Sequence, residues 1–223
     1  MTLFGDREKC YDCYRPQSSC ICDAVKKLET QSCFVILMHQ KEFQKTKNTT
    51  GRMTHLSLPH SHLFIGIDFS EHAALNALLN ASEYTPYILY PDTQAHNLST
   101  ETLTLKEGTR PLFILIDSTW ACSKKIMKLS SNLHHLPRVS FTATQASNYQ
   151  IKKQPEDYCL STIETTQTIL SLLKLHEIEK IEDSSISAFL EPFNKMVNYQ
   201  IDVANRERQL RFKISGRTDD KAI

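Results

Sequence analysis

ILIDSTWACSKKIMKLS, residues 114–130, opens as an apolar run, passes through Asp117-Ser118-Thr119-Trp120 and continues at once in a helical pattern. It reads as a buried strand feeding directly into a helix. Asp, Ser and Thr suit such a junction, because their short side chains can accept hydrogen bonds from the first free amides of a helix. Capping does not explain Trp120, the single tryptophan of the chain. Beyond it, Cys122, Ile126, Leu129 and Leu133 recur at spacings of four, three and four, which predicts one apolar stripe. Lys124, Lys125 and Lys128 lie off that stripe.

Working outward, other short apolar runs join this one, with no internal repeat. CFVILMH (33–39), HLFIGIDF (62–69), YILYP (87–91), PLFILID (111–117) and PRVSF (137–141) each read as a short strand. Ser70 is expected to open a helix carrying Leu75, Leu78 and Leu79. Residues 92–111 are polar and read as loop, as does the histidine-rich stretch after His39. LSTIE (160–164) starts a helix with Ile163, Leu170 and Leu173 inward. A last helical region carries Ile186, Leu190, Phe193, Val197 and Ile201, and Pro192 should kink it or mark its start. Strands alternating with helices predict an α/β fold with a largely parallel sheet. Ligands bind such sheets where strand ends meet helix N-termini, so HQKEFQKTKNTTGR, LYPD and DSTW fall at candidate site positions.

The chain has 223 residues, 40% of them apolar, enough for one domain with a sizeable core. Glycine is scarce, and no Gly-rich phosphate loop is present. No apolar run reaches the length of a membrane span, and MTLFGDREKC lacks an export-signal core, so no membrane association and a cytoplasmic location are expected. A net charge of +1 gives no global attraction for a polyanion, so nucleic-acid binding would rest on local patches. Two patches qualify: Lys41, Lys45, Lys47 and Arg52 among the histidines of residues 39–62, and Arg206, Arg208, Arg211, Lys213 and Arg217 near the end.

Four of the seven cysteines cluster as Cys10, Cys13, Cys20 and Cys22 in CYDCYRPQSSCIC. The C-x2-C-x6-C-x-C spacing lets four thiolates converge on one tetrahedral zinc ion, with no coordination position left for catalysis. Binding worth roughly 10–16 kcal/mol would organise a segment so poor in apolar side chains. Disulfides are the rival account, unusual without an export signal. An iron–sulfur centre commonly uses other spacings. Cys33, Cys122 and Cys159 stand alone and read as small buried hydrophobes.

Taken together these pieces resemble the DTW-domain family, of the tRNA-uridine aminocarboxypropyltransferase kind. D-x-T-W is met by Asp117, Thr119 and Trp120. C-x2-C-x-R-P followed by C-x-C is met by Cys10, Cys13, Arg15, Pro16, Cys20 and Cys22. H-x-x-E, then N-T and a glycine, match His39, Glu42, Asn48, Thr49 and Gly51. L-Y-P matches Leu89, Tyr90 and Pro91, and L-S-T-I-E matches Leu160 to Glu164. Gln40 departs from the proline that many relatives carry there. The resemblance covers residues 10–164, and after residue 175 it is one of helical, polar character only.

The resemblance implies a SPOUT-like α/β fold with a C-terminal trefoil knot. It divides the chain into a zinc module (1–30), a catalytic domain (31–205) and a basic polar tail (206–223). It further implies S-adenosylmethionine as donor and a tRNA uridine as acceptor, the 3-amino-3-carboxypropyl group moving to uridine N3. The compact length resembles bacterial members, for which a variable-loop uridine is expected; the oligomeric state is left open.

Within that chemistry Asp117 is the expected base, capping being its structural alternative. Leu89, Tyr90, Pro91, Thr119, Trp120, Leu160, Ser161, Thr162 and Glu164 are expected around the donor, where amides near Thr162 would hold its carboxylate. Ser161 and Glu164 also form a capping-box pattern, which accounts for them without function, and Trp120 would otherwise be core. His39, Glu42, Asn48, Thr49 and Arg52 are expected to grip donor or RNA, and the zinc module with Lys26 and Lys27 to brace the tRNA. Two other classes remain: a SPOUT-type RNA methyltransferase using the same donor, and a non-catalytic zinc-containing RNA-binding protein. A redox protein built on the clustered cysteines is a third.

Overall fold

The computed structural model describes residues 8–45, 49–143, 147 and 160–215, with backbone alone for 45 and 208–215. Six strands form one sheet: β1 (Cys33–His39), β2 (Ser61–Gly66), β3 (Tyr84–Leu89), β4 (His96–Asn97), β5 (Arg110–Asp117) and β6 (Arg138–Ser140). Their order is β2-β1-β5-β3-β6-β4, and every pairing is parallel. The α/β fold with a parallel sheet is therefore as the alternating pattern predicts.

Helices explain why the central strands read as unbroken apolar runs. All seven residues of β1 are buried. Because side chains alternate across a strand, Phe34 and Ile36 enter one core while Val35 and Leu37 enter another. The first core packs β1 and β5 against α2 (Thr50–Ser57), α5 (Thr162–Leu175) and α7 (Glu191–Ser215), through Met53, Ile163, Leu170 and Phe193. The second packs against α3 (Ala73–Leu79) and α4 (Trp120–Leu129), through Leu75, Ile126 and Met127. A parallel strand covered on both faces cannot show polar alternation. The cysteine-rich segment shares the first core, contributing Cys10, Cys13, Ile21 and Leu28, and Lys195 of α7 grips Asp23 at 2.6 Å.

Several expected boundaries move, each for a local reason. β2 ends at Gly66 and not at 69, because Asp68 accepts hydrogen bonds from the amide and hydroxyl of Ser70 and turns the chain. Ser70 consequently does not open α3; the cap is His72, whose Nδ1 accepts from the Leu75 amide at 3.2 Å. β3 starts three residues earlier than expected and contains Pro86. Ile88 and Tyr90 direct their amides at the chain of β6, so Pro86 faces that side before β6 has begun and its missing N–H leaves no gap. The polar stretch 92–111 holds the two-residue strand β4, paired to Val139 and Ser140.

The stretch after His39 is not loop throughout. It contains the short helix α1 (Gln40–Lys45) and then α2, whose buried residues are Thr50, Gly51, Met53, Thr54 and Ser57, too polar a face to register as an apolar stripe. In α4 the buried face is Ser123, Ile126 and Met127; Leu129 is exposed and Leu133 lies beyond the helix end. The Ser123 hydroxyl donates to the Trp120 carbonyl, satisfying it within the core-facing side. The last helical region splits into α6 (Asp183–Ala188) and α7, with Pro192 in the first turn of α7, the position where its absent N–H costs nothing. No helix among the described residues is long and apolar enough to cross a membrane.

Where α5 returns toward α6, the buried carboxylate of Glu179 accepts hydrogen bonds from the Gln31 and Ser32 amides at 3.0 and 2.7 Å. It anchors the entry to β1. Glu179→Ala strands both amides, and a loss of about 2–3 kcal/mol in unfolding free energy is expected from the denaturant midpoint, with Glu179→Gln retaining part of it.

Candidate functional site

The C-terminal edge of the sheet gathers the ends of β1, β3 and β5 with the N-termini of three helices. Asp117 is the last residue of β5 and is buried. Its Oδ1 accepts a hydrogen bond from the Thr162 hydroxyl at 2.6 Å, from the first residue of α5. The Thr162 amide donates in turn to Thr50 Oγ1 of α2 at 3.2 Å. Gly51, next in α2, lies so close that a Cβ there would sit 2.5 Å from Asp117 Oδ2. One carboxylate is thus wedged between the starts of two helices, whose amide dipoles favour its charge. Capping is not its role in α4, where Thr119 holds the cap position.

Ser161 and Glu164 form the capping box read from the sequence. Glu164 Oε2 accepts from the Ser161 amide at 2.9 Å and from its hydroxyl at 2.6 Å, and from Ser147 at 2.8 Å. The amides of Ser161 and Thr162 are both engaged, so neither is open to a donor carboxylate in this arrangement. What remains facing the cavity is a set of hydroxyls.

That cavity, about 190 Å³, is lined by Thr50, Leu89, Asp117, Leu160, Ser161 and Thr162, with Ser118 and Thr165 at its margin. Beside it opens a larger, largely apolar cavity of about 560 Å³, walled by Leu89, Pro91, Val139, Phe141 and Ala143. Leu89 borders both. Thr50, Thr165 and Phe141 escaped residue-level reading as site residues, and Gly51 was matched to the family pattern without a role.

Tyr90 and Trp120 lie outside both linings. They stack on each other, ring centroids 5.7 Å apart and 18° between planes. Trp120 is 49% exposed, which excludes the core alternative. Lys124 sits over its ring and Arg138 over that of Tyr90. Thr119 is exposed.

The residues expected from the histidine-rich stretch separate. His39 is buried at the end of β1, its Nδ1 accepting from the Lys41 amide at 3.1 Å, and burial lowers its pKa, so the ring is a neutral structural acceptor. Glu42 is half-buried on α1. Thr49 and Arg52 line a different cavity, of about 320 Å³, between the cysteine segment and α1. Asn48 and Lys47 lie outside the described residues, as do Cys159 and Arg217. Lys26 is exposed, while Lys27 donates to the Leu56 carbonyl.

Cys10, Cys13, Cys20 and Cys22 bring their sulfurs within 4.8 Å of one another. Cys10–Cys22 is 3.5 Å and Cys13–Cys20 is 3.8 Å, near the ~3.8 Å edge of a tetrahedral tetrathiolate with ~2.3 Å metal–sulfur bonds. Both separations are far from a disulfide bond of ~2.05 Å. Amides of Cys13 and Asp12 hold the Cys10 thiol down at about 7, whereas burial pushes Cys20 and Cys22 up. A divalent cation would offset that burial by stabilising the thiolates; the donor set fits a structural metal.

Two outcomes follow from this geometry. Chelation should release one metal ion per chain, read by elemental analysis, together with a fall in Tm. Gly51→Ala should cost about 1–3 kcal/mol of stability by overpacking, and markedly less in an Asp117→Ala background, where the opposing oxygens are gone.

The DTW domain family model matches residues 7–201 of the chain. The mouse (Mus musculus) "tRNA-uridine aminocarboxypropyltransferase 2" is 32% identical over 173 residues, covering 75% of this chain and 57% of the relative. The Drosophila melanogaster protein of the same name is 31% identical over 211 residues, covering 91% and 79%. That of Macaca fascicularis is 31% identical over 173 residues, covering 75% and 57%. The chain therefore spans little more than half the length of the mouse and macaque relatives. No solved structure matches it at a significant level. With the family model matched from the cysteine segment into α7, the chain belongs to the DTW domain family.

Proposed function

We propose that the chain transfers the 3-amino-3-carboxypropyl group of S-adenosylmethionine to N3 of a tRNA uridine and releases methylthioadenosine. The relatives' names support the reaction. The observation that carries it is the buried carboxylate of Asp117 in the wall of the polar cavity, which shares Leu89 with the apolar cavity beside it.

Uridine N3 attacks the methylene carbon beside the sulfonium, the carbon–sulfur bond breaks, and its electrons neutralise the sulfur. The leaving group therefore needs no acid. What remains is the N3 proton, and Asp117 is the residue to which its removal is assigned. Its negative charge also favours a cation nearby. Thr162 orients the carboxylate through its hydroxyl, and Gly51 allows α2 to approach without displacing it.

Leu89 and Pro91, with the β6 edge, suit the adenosine portion, being apolar and flat. Thr50, Leu160, Ser161 and Thr162 suit the methionine-derived portion through their hydroxyls and one apolar wall; Glu164 holds that turn. The half-exposed indole of Trp120, stacked on Tyr90 with Lys124 over its ring, suits an unstacked uracil, and Thr119 precedes it at the cap of α4. An unpaired tRNA loop makes extrusion cheap, and the variable loop is the proposed target. Four thiolates and no other donor favour zinc at the cysteine cluster, which Cys10, Cys13, Cys20 and Cys22 would hold as a purely structural ion. The SPOUT-like class with a C-terminal trefoil knot is likewise proposed. Supporting the class, though not the knot itself, is the parallel sheet with β5 and β3 adjacent and the start of α5 bonded to the end of β5. A cytoplasmic location completes the reading.

The decisive experiment incubates the protein with unmodified tRNA and donor labelled in the carboxypropyl portion. An aminocarboxypropyl adduct with methylthioadenosine supports the reading; a methyl adduct with S-adenosylhomocysteine, or no transfer, overturns it. Asp117→Asn should lower kcat by about 10²–10⁴, with donor affinity by calorimetry changed only a few-fold.

A further inference from the structure

The cavity between the cysteine segment and α1–α2 has a composition that the transfer site does not use. Arg52 projects from the first turn of α2, its guanidinium carbon 4.2 Å from the ring centroid of Tyr14 and 5.2 Å from that of Phe43. Both rings of this cation–aromatic stack are open to solvent. Here Tyr14 is 56% exposed and Phe43 40%. Lys9 adds a second positive charge, Gln44 and Thr49 supply polar atoms at the wall, and no carboxylate lines the cavity among the described residues.

Tyr14 itself is in an unfavourable backbone conformation. Its φ is +59°, the left-handed region that a bulky residue adopts only under constraint. The constraint is visible: the Tyr14 amide donates to the Cys10 carbonyl at 2.9 Å and the Cys10 amide to the Arg15 carbonyl at 2.8 Å, closing the tight turn around the cysteines. Glycine would fit that turn without strain. A tyrosine held there displays its ring beside the cavity.

The location ties this cavity to the first. Thr50 and Gly51 face Asp117, whereas Thr49 and Arg52 face the cation–aromatic stack. The two cavities stand on opposite sides of one helical turn. An RNA segment presenting a nucleotide to Asp117 would have one turn of α2 to cross to reach the second cavity.

We propose that this cavity is a second nucleobase site, taking one unpaired RNA base that flanks the target uridine by stacking it against Tyr14, Phe43 and the Arg52 guanidinium. The inference rests on the tRNA reading above. Aromatic faces and a planar guanidinium recognise any base by its π-face, Gln44 and Thr49 meet its edge, and Lys9 meets a phosphate. The site selects for an extended, unpaired neighbour and thereby for a loop over a duplex.

Filter binding of unmodified tRNA at several salt concentrations tests it. Phe43→Ala, on the exposed side of α1, and Tyr14→Ala/Phe43→Ala should weaken binding by about tenfold and up to a hundredfold respectively. The slope of log Kd against log salt should not change, because no phosphate contact is lost. Metal content and S-adenosylmethionine affinity should match wild type. An abasic scan of the modified loop should find one position that weakens wild-type binding by a similar factor and leaves the double variant unaffected. Affinities within twofold of wild type for both variants overturn the nucleobase site. So does a pattern in which Arg52→Ala weakens binding, Arg52→Lys does not, and the salt slope falls by about one, which would mark a phosphate site. Transfer to tRNA by wild type alongside such results leaves the proposed function standing; wild type with no tRNA affinity removes both.

Discussion

A single carboxylate, set where β5 ends, determines how the surrounding elements must meet. Asp117 is held by Thr162 from α5, and the backbone of α2 approaches its other oxygen as closely as a glycine allows. The Thr162 amide then joins α5 to α2 through Thr50. Three elements far apart in sequence are fastened to one side chain, and both helices point their positive ends toward it. The same geometry that fixes the fold at this edge pre-orients a negative charge for chemistry. The structural role of Asp117 and the catalytic role proposed for it are compatible, since a base that is oriented must be held by something.

The cysteine segment belongs to this construction and is not an appendage. Ile21 and Leu28 enter the core that β1, α5 and α7 share, and Lys195 reaches back to Asp23. A segment of that length has little apolar surface of its own, so its order depends on the thiolate cluster on one side and on the main core on the other. Its turn positions Tyr14 against Arg52 of α2, the helix whose preceding residue packs on Asp117.

Legibility in the sequence followed burial chemistry. β1 and β5 were plain because both faces are covered and nearly every position is apolar. The capping box at Ser161 and Glu164 was plain because its spacing is tied to the hydrogen bonds it makes. α2 was not, since its buried face of Thr50, Gly51, Thr54 and Ser57 packs by closeness and not by apolar area. β4 has two residues and no period. The stripe of α4 was displaced because Ser123, satisfied by the Trp120 carbonyl, takes a core position that a hydropathy reading denies it. At the site, residue types in family-like spacing pointed to Asp117, Leu89 and Ser161. Spacing could not show that Arg52 and Thr49 face away from Asp117, because adjacent residues on a helix point to different sides.

Leu89 stands as the partition between the two chambers at the sheet edge. A partition shared in this way removes independence: a bulkier or smaller side chain there reshapes the polar chamber and the apolar one at once. The shapes of the two chambers are consequently not separate traits of this protein. Any path that retunes one by way of this wall must carry the other with it.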